Sequence, residues 1–95
     1  MALAEPPKLD HLRLARDAFN ARDWARALAE GKNAVAAGEG AEAHALLGNT
    51  YFKMARYAEA EQQYGKAVAL DPENRLLQER LRIARVRAQE RRTGR

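Results

Sequence analysis

The sequence predicts an all-α fold, an α-solenoid of two antiparallel helical hairpins stacked right-handedly and closed by a longer C-terminal helix. Three observations predict it. Apolar residues recur at helical spacing between short turn signals. The first part of the chain resembles the second at an offset of 33 residues. Much of the hydrophobic content of 46% is alanine, which favours helix and adds little core volume. A chain of 95 residues allows one small domain of this kind.

Turn signals set the predicted boundaries. The proline pair at 6–7 prevents an earlier helix start, Asp23 has the side chain of an N-cap, and Gly38 can end a helix. Asp71 should cap the last helix, with Pro72 at its first position. The predicted units are a flexible lead-in at 1–7, a first hairpin at 8–40, a second hairpin at 41–74, a capping helix at 72–92 and a flexible tail at 93–95. The first two helices should run from Lys8 to about Ala21 and from Trp24 to about Ala37, and the turns within the hairpins should fall at Arg22-Asp23 and Ala55-Arg56.

Residues 41–74 carry the most specific pattern in the chain. Large, small and aromatic residues and a closing proline stand at fixed offsets, at Leu47, Gly48, Tyr51, Tyr57, Ala60, Tyr64, Ala67 and Pro72. This set resembles the tetratricopeptide repeat, with His44 at the position where that family usually carries tryptophan. The resemblance implies repeats of two antiparallel helices, a capping helix at the end of the array, and a non-catalytic role in binding other proteins.

Small residues mark the place where the two helices of this repeat should approach most closely. Gly48 and Ala60 lack bulk there, so the two backbones can come together. Large side chains should then fill the seam on either side. We therefore expect four aromatic residues in the core, namely Trp24, Tyr51, Tyr57 and Tyr64.

The first hairpin aligns with the second as a degenerate copy. His11 aligns with His44, but Ala18 and Gly31 replace aromatic residues of the family pattern. A glycine inside a helix costs about 1 kcal/mol relative to alanine. The sequence offers only neighbouring side chains such as Trp24 or Phe19 to fill the space beside Gly31.

The helix after Pro72 has one side to bury and one to leave in water, as the end of a repeat array requires. Its apolar stripe consists of Leu77, Leu81, Ala84 and Ala88. Arrays of this kind usually need three or more repeats. We therefore expect a domain that is marginally stable, or one that self-association or a partner completes.

No enzyme motif is present in the sequence. Phosphate-binding glycine loops, zinc-protease and serine-hydrolase motifs and paired catalytic carboxylates are all missing. His11 and His44 occupy the same repeat position, which favours packing over metal binding or catalysis. We expect no catalytic residues, no metal and no cofactor. With no signal-peptide pattern and no apolar run of membrane-span length, we expect a cytoplasmic protein, although a fragment of a longer or exported protein would look the same.

The resemblance also implies where a partner would bind. In the family, the second, fifth, ninth, twelfth and thirteenth residues of the first helix of each repeat line a concave surface. Phe19 and Phe52 stand at the twelfth position, and their alternative role is to be covered by the cap or a loop. The predicted partner-binding residues are Leu12, Arg16, Phe19, Asn20, Ala45, Asn49, Phe52, Lys53, Arg80 and Ile83. The mixture predicts a protein or peptide partner, an amphipathic segment with acidic flanks.

Some members of the family hold the C-terminal carboxylate of chaperone peptides in a clamp of lysine, asparagine and arginine. The corresponding positions here are Leu12, Arg16, Leu46, Leu76 and Arg80. Only Arg80 matches the clamp, although Arg16 keeps a positive charge. The sequence therefore disfavours a chaperone-tail clamp.

The net charge of +4 is unevenly distributed. Residues 1–74 have a net charge of −2, whereas residues 75–95 have eight arginines and two glutamates, a net charge of +6. An acidic polymer or nucleic acid bound through this end is an alternative function, but no aromatic residue is interleaved there for base stacking. A further alternative is a self-associating homo-oligomer that uses the groove or the capping helix.

Overall fold

The computed structural model describes residues 10–94 and confirms the all-α prediction, since these residues form five helices and no strand. The helices are α1 (His11–Asn20), α2 (Trp24–Ala36), α3 (Gly40–Lys53), α4 (Tyr57–Leu70) and α5 (Arg75–Arg92). Each helix packs against the one before it, and α1 also contacts α3. The predicted lead-in at 1–7 and the predicted helix start at Lys8 lie outside the described residues.

Aspartate side chains begin both helices of the first hairpin. The backbone N–H of Arg13 donates to Asp10 Oδ1 at 3.0 Å, and that of Arg26 donates to Asp23 Oδ1 at 3.2 Å. Such caps satisfy N–H groups that have no partner within the helix. The cap predicted at Asp23 is confirmed, and α1 begins at His11 because Asp10 provides its cap.

The turns inside the two hairpins are copies of each other. Arg22 and Ala55 lie 33 residues apart, and both adopt left-handed backbone with φ of 62° and 59°. In each turn two backbone N–H groups reach back to carbonyls of the preceding helix, as in a Schellman motif; the longer-range bonds are Asp23 N to Ala18 O and Arg56 N to Tyr51 O, both 2.9 Å. The predicted turn positions are confirmed.

The start of α5 differs from the prediction. Asp71 ends α4 and does not cap α5, and Pro72 lies in the intervening turn. Asn74 is the cap instead, because its Oδ1 accepts from Leu77 N at 3.2 Å while its Nδ2 donates to Asp71 Oδ2 at 3.1 Å. The helix therefore begins at Arg75, three residues after Pro72.

The two helices of the second hairpin, α3 and α4, pack as closely at Gly48 and Ala60 as the small size of these residues predicts. A Cβ placed on Gly48 would lie 2.6 Å from ring atoms of Tyr64, and Ala60 is fully buried. Tyr51 and Tyr64 are buried in the core as predicted. Trp24 and Tyr57 are only half-buried, and their rings pack edge-to-face on Phe19 and Phe52 with centroids 5.3 and 5.0 Å apart.

Gly31 is explained by a residue of the next repeat. A Cβ on Gly31 would lie 2.7 Å from Leu47 Cδ2 and 3.1 Å from Leu47 Cγ. Leu47, and not Trp24 or Phe19 as suggested above, fills the space that an aromatic residue would occupy in the family pattern. Its side chain thereby couples the first hairpin to the second.

Burial at one repeat position differs among α1, α3 and α5. Thr50 and Ala84 are fully buried at the positions where α3 and α5 meet the preceding hairpin, whereas the corresponding Asp17 of α1 is exposed. On α5 the predicted stripe is confirmed, since Leu77, Ala84 and Ala88 are buried and Leu81 packs against the core. Its remaining surface is largely arginine, glutamine and glutamate.

Candidate partner-binding groove

The faces of α1, α3 and α5 that point to the same side of the molecule form two neighbouring depressions. We call the first the aromatic pocket; it has a volume of 360 Å³ and is lined by Phe19, Asn49, Phe52, Lys53, Tyr64, Arg80 and Ile83. We call the second the leucine pocket; it has a volume of 270 Å³ and is lined by Leu12, Arg16, Glu42, Ala45, Leu46, Asn49, Leu76, Leu77 and Arg80. Asn49 and Arg80 belong to both, so the two pockets form one groove.

Nine of the ten residues predicted from the sequence line this groove. Asn20, the last residue of α1, lines neither pocket, whereas the equivalent Lys53 at the end of α3 lines the aromatic pocket. Tyr64 also lines the aromatic pocket but was not among the predicted residues, because its repeat position marks it as a core residue. The signal that could have found it is Gly48, whose missing side chain leaves room for the Tyr64 ring.

A polar bridge separates the two pockets. The Tyr64 hydroxyl donates to Asn49 Oδ1 at 2.5 Å, and Arg80 Nη1 donates to the same oxygen at 2.8 Å. We call these three residues the Tyr-Asn-Arg bridge. It ties α4, α3 and α5 together, so it fixes the position of the capping helix as well as the floor of the groove.

Burial raises the pKa of Tyr64 to about 12, and the positive charge of Arg80 opposes that rise without cancelling it. A phenol taken out of water resists ionisation because the charged form loses its hydration. Tyr64 is therefore a neutral donor throughout the physiological range. Asn49 Oδ1 accepts both bonds, so the amide N–H groups of Asn49 remain as donors.

Cationic groups outnumber anionic ones around the groove. Arg80 is half-buried, and among the described residues its guanidinium bonds only to the neutral amide of Asn49. Lys53 is exposed at the rim of the aromatic pocket. Arg16 is neutralised, since it bonds Glu42 at 2.7 Å, and both residues line the leucine pocket. The groove can thus bury apolar side chains and offer hydrogen-bond donors to an acidic or carbonyl-bearing ligand.

The two histidines pack in equivalent places, as predicted. His44 Nδ1 lies 2.8 Å from Gln63 Oε1, and His11 Nδ1 lies 3.5 Å from Glu30 Oε1. Each pair joins the two helices of one hairpin, and the pairs are related by the offset of 33 residues. Within residues 10–94 no group of three or more potential ligand side chains is arranged to hold a metal ion.

Most arginines of α5 have partners within the protein. Arg82 bonds Glu79 on the same helix, and Arg85 Nε lies 3.3 Å from Glu61 on α4. The Arg91 guanidinium lies 5.4 Å from the ring centroid of Tyr57, and Arg92 Nη2 donates to Gln89 Oε1 at 3.0 Å. These contacts hold much of the positive charge against the second hairpin or along the helix itself. In the part of the chain that is described, no helix has the length and apolar character needed to span a bilayer.

The second hairpin also matches a known family. The family model of the tetratricopeptide repeat matches residues 41–74, the segment that contains α3 without its first residue, α4 and the turn before α5. No curated protein and no solved structure matches the chain. The family match and the five-helix array together show that this chain carries a tetratricopeptide repeat at residues 41–74 within a repeat-like helical solenoid.

Proposed function

We propose that this protein is a non-catalytic adaptor that binds a segment of a partner protein in the groove formed by α1, α3 and α5. The tetratricopeptide repeat is in general a protein–protein interaction module and not a catalytic one, which supports the broad assignment. The observation that carries the finer proposal is the pair of pockets, in which large apolar side chains surround a polar bridge.

The apolar residues of the groove supply the binding energy in this proposal. Ile83 is 36% exposed and Leu76 is 58% exposed, so each has surface that a partner can remove from water. Burying apolar surface contributes about 25 cal/mol per Å². The expected partner therefore has apolar side chains that enter the pockets.

The charges of the groove select among such partners. Lys53 and Arg80 favour acidic side chains, and the effect is strongest at low salt because exposed charges are screened. The Arg16–Glu42 pair lies at the other end and adds no net charge. A partner segment with acidic residues near its apolar anchors fits this distribution best.

A peptide selection tests the proposal without knowledge of the natural partner. A phage-displayed library of random peptides is selected on the immobilised wild-type protein, and enriched peptides are synthesised and titrated by fluorescence polarisation. Ile83→Glu should weaken their binding at least tenfold, because it places a carboxylate in the aromatic pocket. Val86→Glu is the matched control, since Val86 lies one helical turn further along α5, is 47% exposed and lines neither pocket.

Circular dichroism should show the same helical content for both variants. Selected peptides that bind Ile83→Glu and the wild type equally would place the binding surface elsewhere. A selection without enrichment, together with a dimer in light scattering, would favour the self-associating module instead.

A further inference from the structure

The arginines of α5 differ in what they contact, and two of them have carboxylate partners. Arg82 pairs with Glu79 on the same helix, and Arg85 pairs with Glu61 on α4. Ion pairs at a surface add little stability, but the two charges of each pair offset each other. These four side chains together therefore contribute no net charge to the surface.

Three other arginines, which we call the arginine row, keep their charge. They are Arg80, Arg87 and Arg91, and none of them forms an ion pair with another residue of 10–94. Their spacing of seven and four residues places them on one face of α5. Arg80 bonds the neutral amide of Asn49, and Arg91 lies over the ring of Tyr57. Neither of these contacts cancels a positive charge.

The arginine row is unfavourable for the stability of α5. Arg87 and Arg91 are exposed and one helical turn apart, and like charges at that spacing destabilise a helix. The neighbouring carboxylate of Glu90 forms no ion pair with either. A ligand with regularly spaced negative charges would relieve the repulsion, and a phosphate backbone also gains free energy by releasing its bound counterions.

The fold supplies an aromatic ring beside this row, which residues 75–95 lack in their own sequence. The Arg91 guanidinium lies over the ring of Tyr57, 5.4 Å from its centroid. Tyr57 in turn packs edge-to-face on Phe52, which fixes the ring from the other helix of the hairpin. Unpaired bases stack on aromatic side chains and on guanidinium planes. The combination of unpaired cations with an arginine–tyrosine stack therefore favours a nucleic acid whose bases are free, since a duplex hides the faces of its bases.

We propose that the arginine row and Tyr57 bind single-stranded nucleic acid. The three guanidinium groups pair with phosphates, and a base stacks beside Arg91 and Tyr57. The surface adjoins the groove at Arg80, but the inference does not depend on the peptide-binding function proposed above. Three phosphate contacts to a single strand give a slope of about −2.1 for the logarithm of the association constant against that of the salt concentration. Binding should therefore weaken about 18-fold between 50 and 200 mM salt.

Fluorescence polarisation with a fluorescein-labelled oligothymidylate of twelve nucleotides tests the inference. The double variant Arg87→Gln/Arg91→Gln should bind it at least tenfold more weakly than wild type at 50 mM NaCl. Its salt slope should be shallower by about 1.4, because two phosphate contacts are lost. No binding of this strand by the wild-type protein would overturn the proposal.

A second double variant separates the arginine row from net charge. Arg13→Gln/Arg26→Gln removes the same charge from two exposed arginines of the first hairpin and should bind within twofold of wild type. Circular dichroism should show the same helical content for both double variants. An equal loss of binding in the two would mean that the protein attracts the strand through its overall charge, which contradicts a site on α5.

Base stacking is tested with a strand of the same length that has abasic sites in place of the thymines. Wild type should bind the oligothymidylate more tightly than the abasic strand. Arg91→Lys keeps the charge but loses the planar guanidinium, so it should weaken oligothymidylate binding about fivefold and leave binding of the abasic strand unchanged. Equal binding of the two strands by wild type would overturn the proposal. So would displacement of the labelled strand by poly-glutamate as readily as by unlabelled oligothymidylate, because the surface would then recognise acidic protein segments.

Discussion

At the scale of single residues, one oxygen atom holds the floor of the groove. Asn49 Oδ1 accepts from the Tyr64 hydroxyl and from Arg80, so a substitution there affects three helices at once. Asn49→Ala would leave the buried Tyr64 hydroxyl without its acceptor, which typically costs about 1–3 kcal/mol. Binding measured on that variant would mix a lost contact with lost stability. The exposed residue Ile83 gives a cleaner test of the groove.

Stability should decrease at alkaline pH through Tyr64. Its pKa is about 12 in the folded protein and about 10 when unfolded. Because the folded value is the higher one, ionisation of Tyr64 favours the unfolded chain. The free energy of unfolding therefore keeps its full value below pH 10 and falls as the pH rises from 10 toward 12. The free energy of unfolding should be lower at pH 11 than at pH 9 by about 1 kcal/mol. Urea unfolding at pH 9 and pH 11 measures it, and Tyr64→Phe, which has no phenol to ionise, should show a loss smaller by this amount.

Two glycines of the second hairpin should respond to alanine with opposite signs. Gly48→Ala forces the Tyr64 ring away from α3 and should cost about 1–3 kcal/mol, as overpacking usually does. Gly65→Ala meets no atom within 4 Å and should stabilise α4 by about 0.5–1 kcal/mol, because glycine is unfavourable inside a helix. Thermal melts of the two variants provide the comparison. A stabilising Gly48→Ala would mean that the seam is looser than the structure indicates.

At the scale of whole elements, local signals fixed most helix boundaries. Asp23 caps the helix that follows it, and Arg22 forms the turn beside it. Both roles involve residues close in sequence, so they could be predicted from the sequence. The start of α5 could not, because two candidate caps, Asp71 and Asn74, lie three residues apart. Asn74 takes the role because it can cap Leu77 N and bond Asp71 at the same time. Choosing between them requires the geometry of the turn.

Substitution of the two candidate caps checks this assignment. Asn74→Ala removes the acceptor of Leu77 N and should cost about 1 kcal/mol, the usual cost of losing an N-cap. Asp71→Ala removes only an exposed contact with the Asn74 side chain and should cost less than half as much. Urea denaturation followed by circular dichroism measures both. The reverse order would restore Asp71 as the cap.

At the scale of the whole molecule, α5 completes the core. Ala84 belongs to the buried cluster that contains Leu47, Tyr51 and Tyr64, and Arg80 bonds the floor of the groove. Nine of the ten residues predicted for partner binding line the groove, because the resemblance to the repeat family assigns their positions to one face. The Tyr-Asn-Arg bridge could not be predicted, since it joins three helices whose relative positions the periodicity does not give.

Removal of α5 should therefore do more than shorten the array. A chain that ends at Asn74 exposes the cluster around Tyr64, and we expect it to unfold or associate, as light scattering and circular dichroism would show. Removal of residues 93–95 is the control and should leave the melting temperature unchanged, because the last buried residue of α5 is Ala88. A folded monomer without α5 would contradict this role of the helix.

The contact between Leu47 and Gly31 has a consequence for sequence variation. The two residues share one volume, since Leu47 occupies the place of the side chain that Gly31 lacks. Neither can change size freely while the other stays the same. Natural relatives of this chain should therefore covary at these two positions, so that a larger residue in place of Gly31 accompanies a smaller one in place of Leu47. The same compensation should hold in the laboratory, where Leu47→Ala should lower the stability of the wild type more than that of Gly31→Ala.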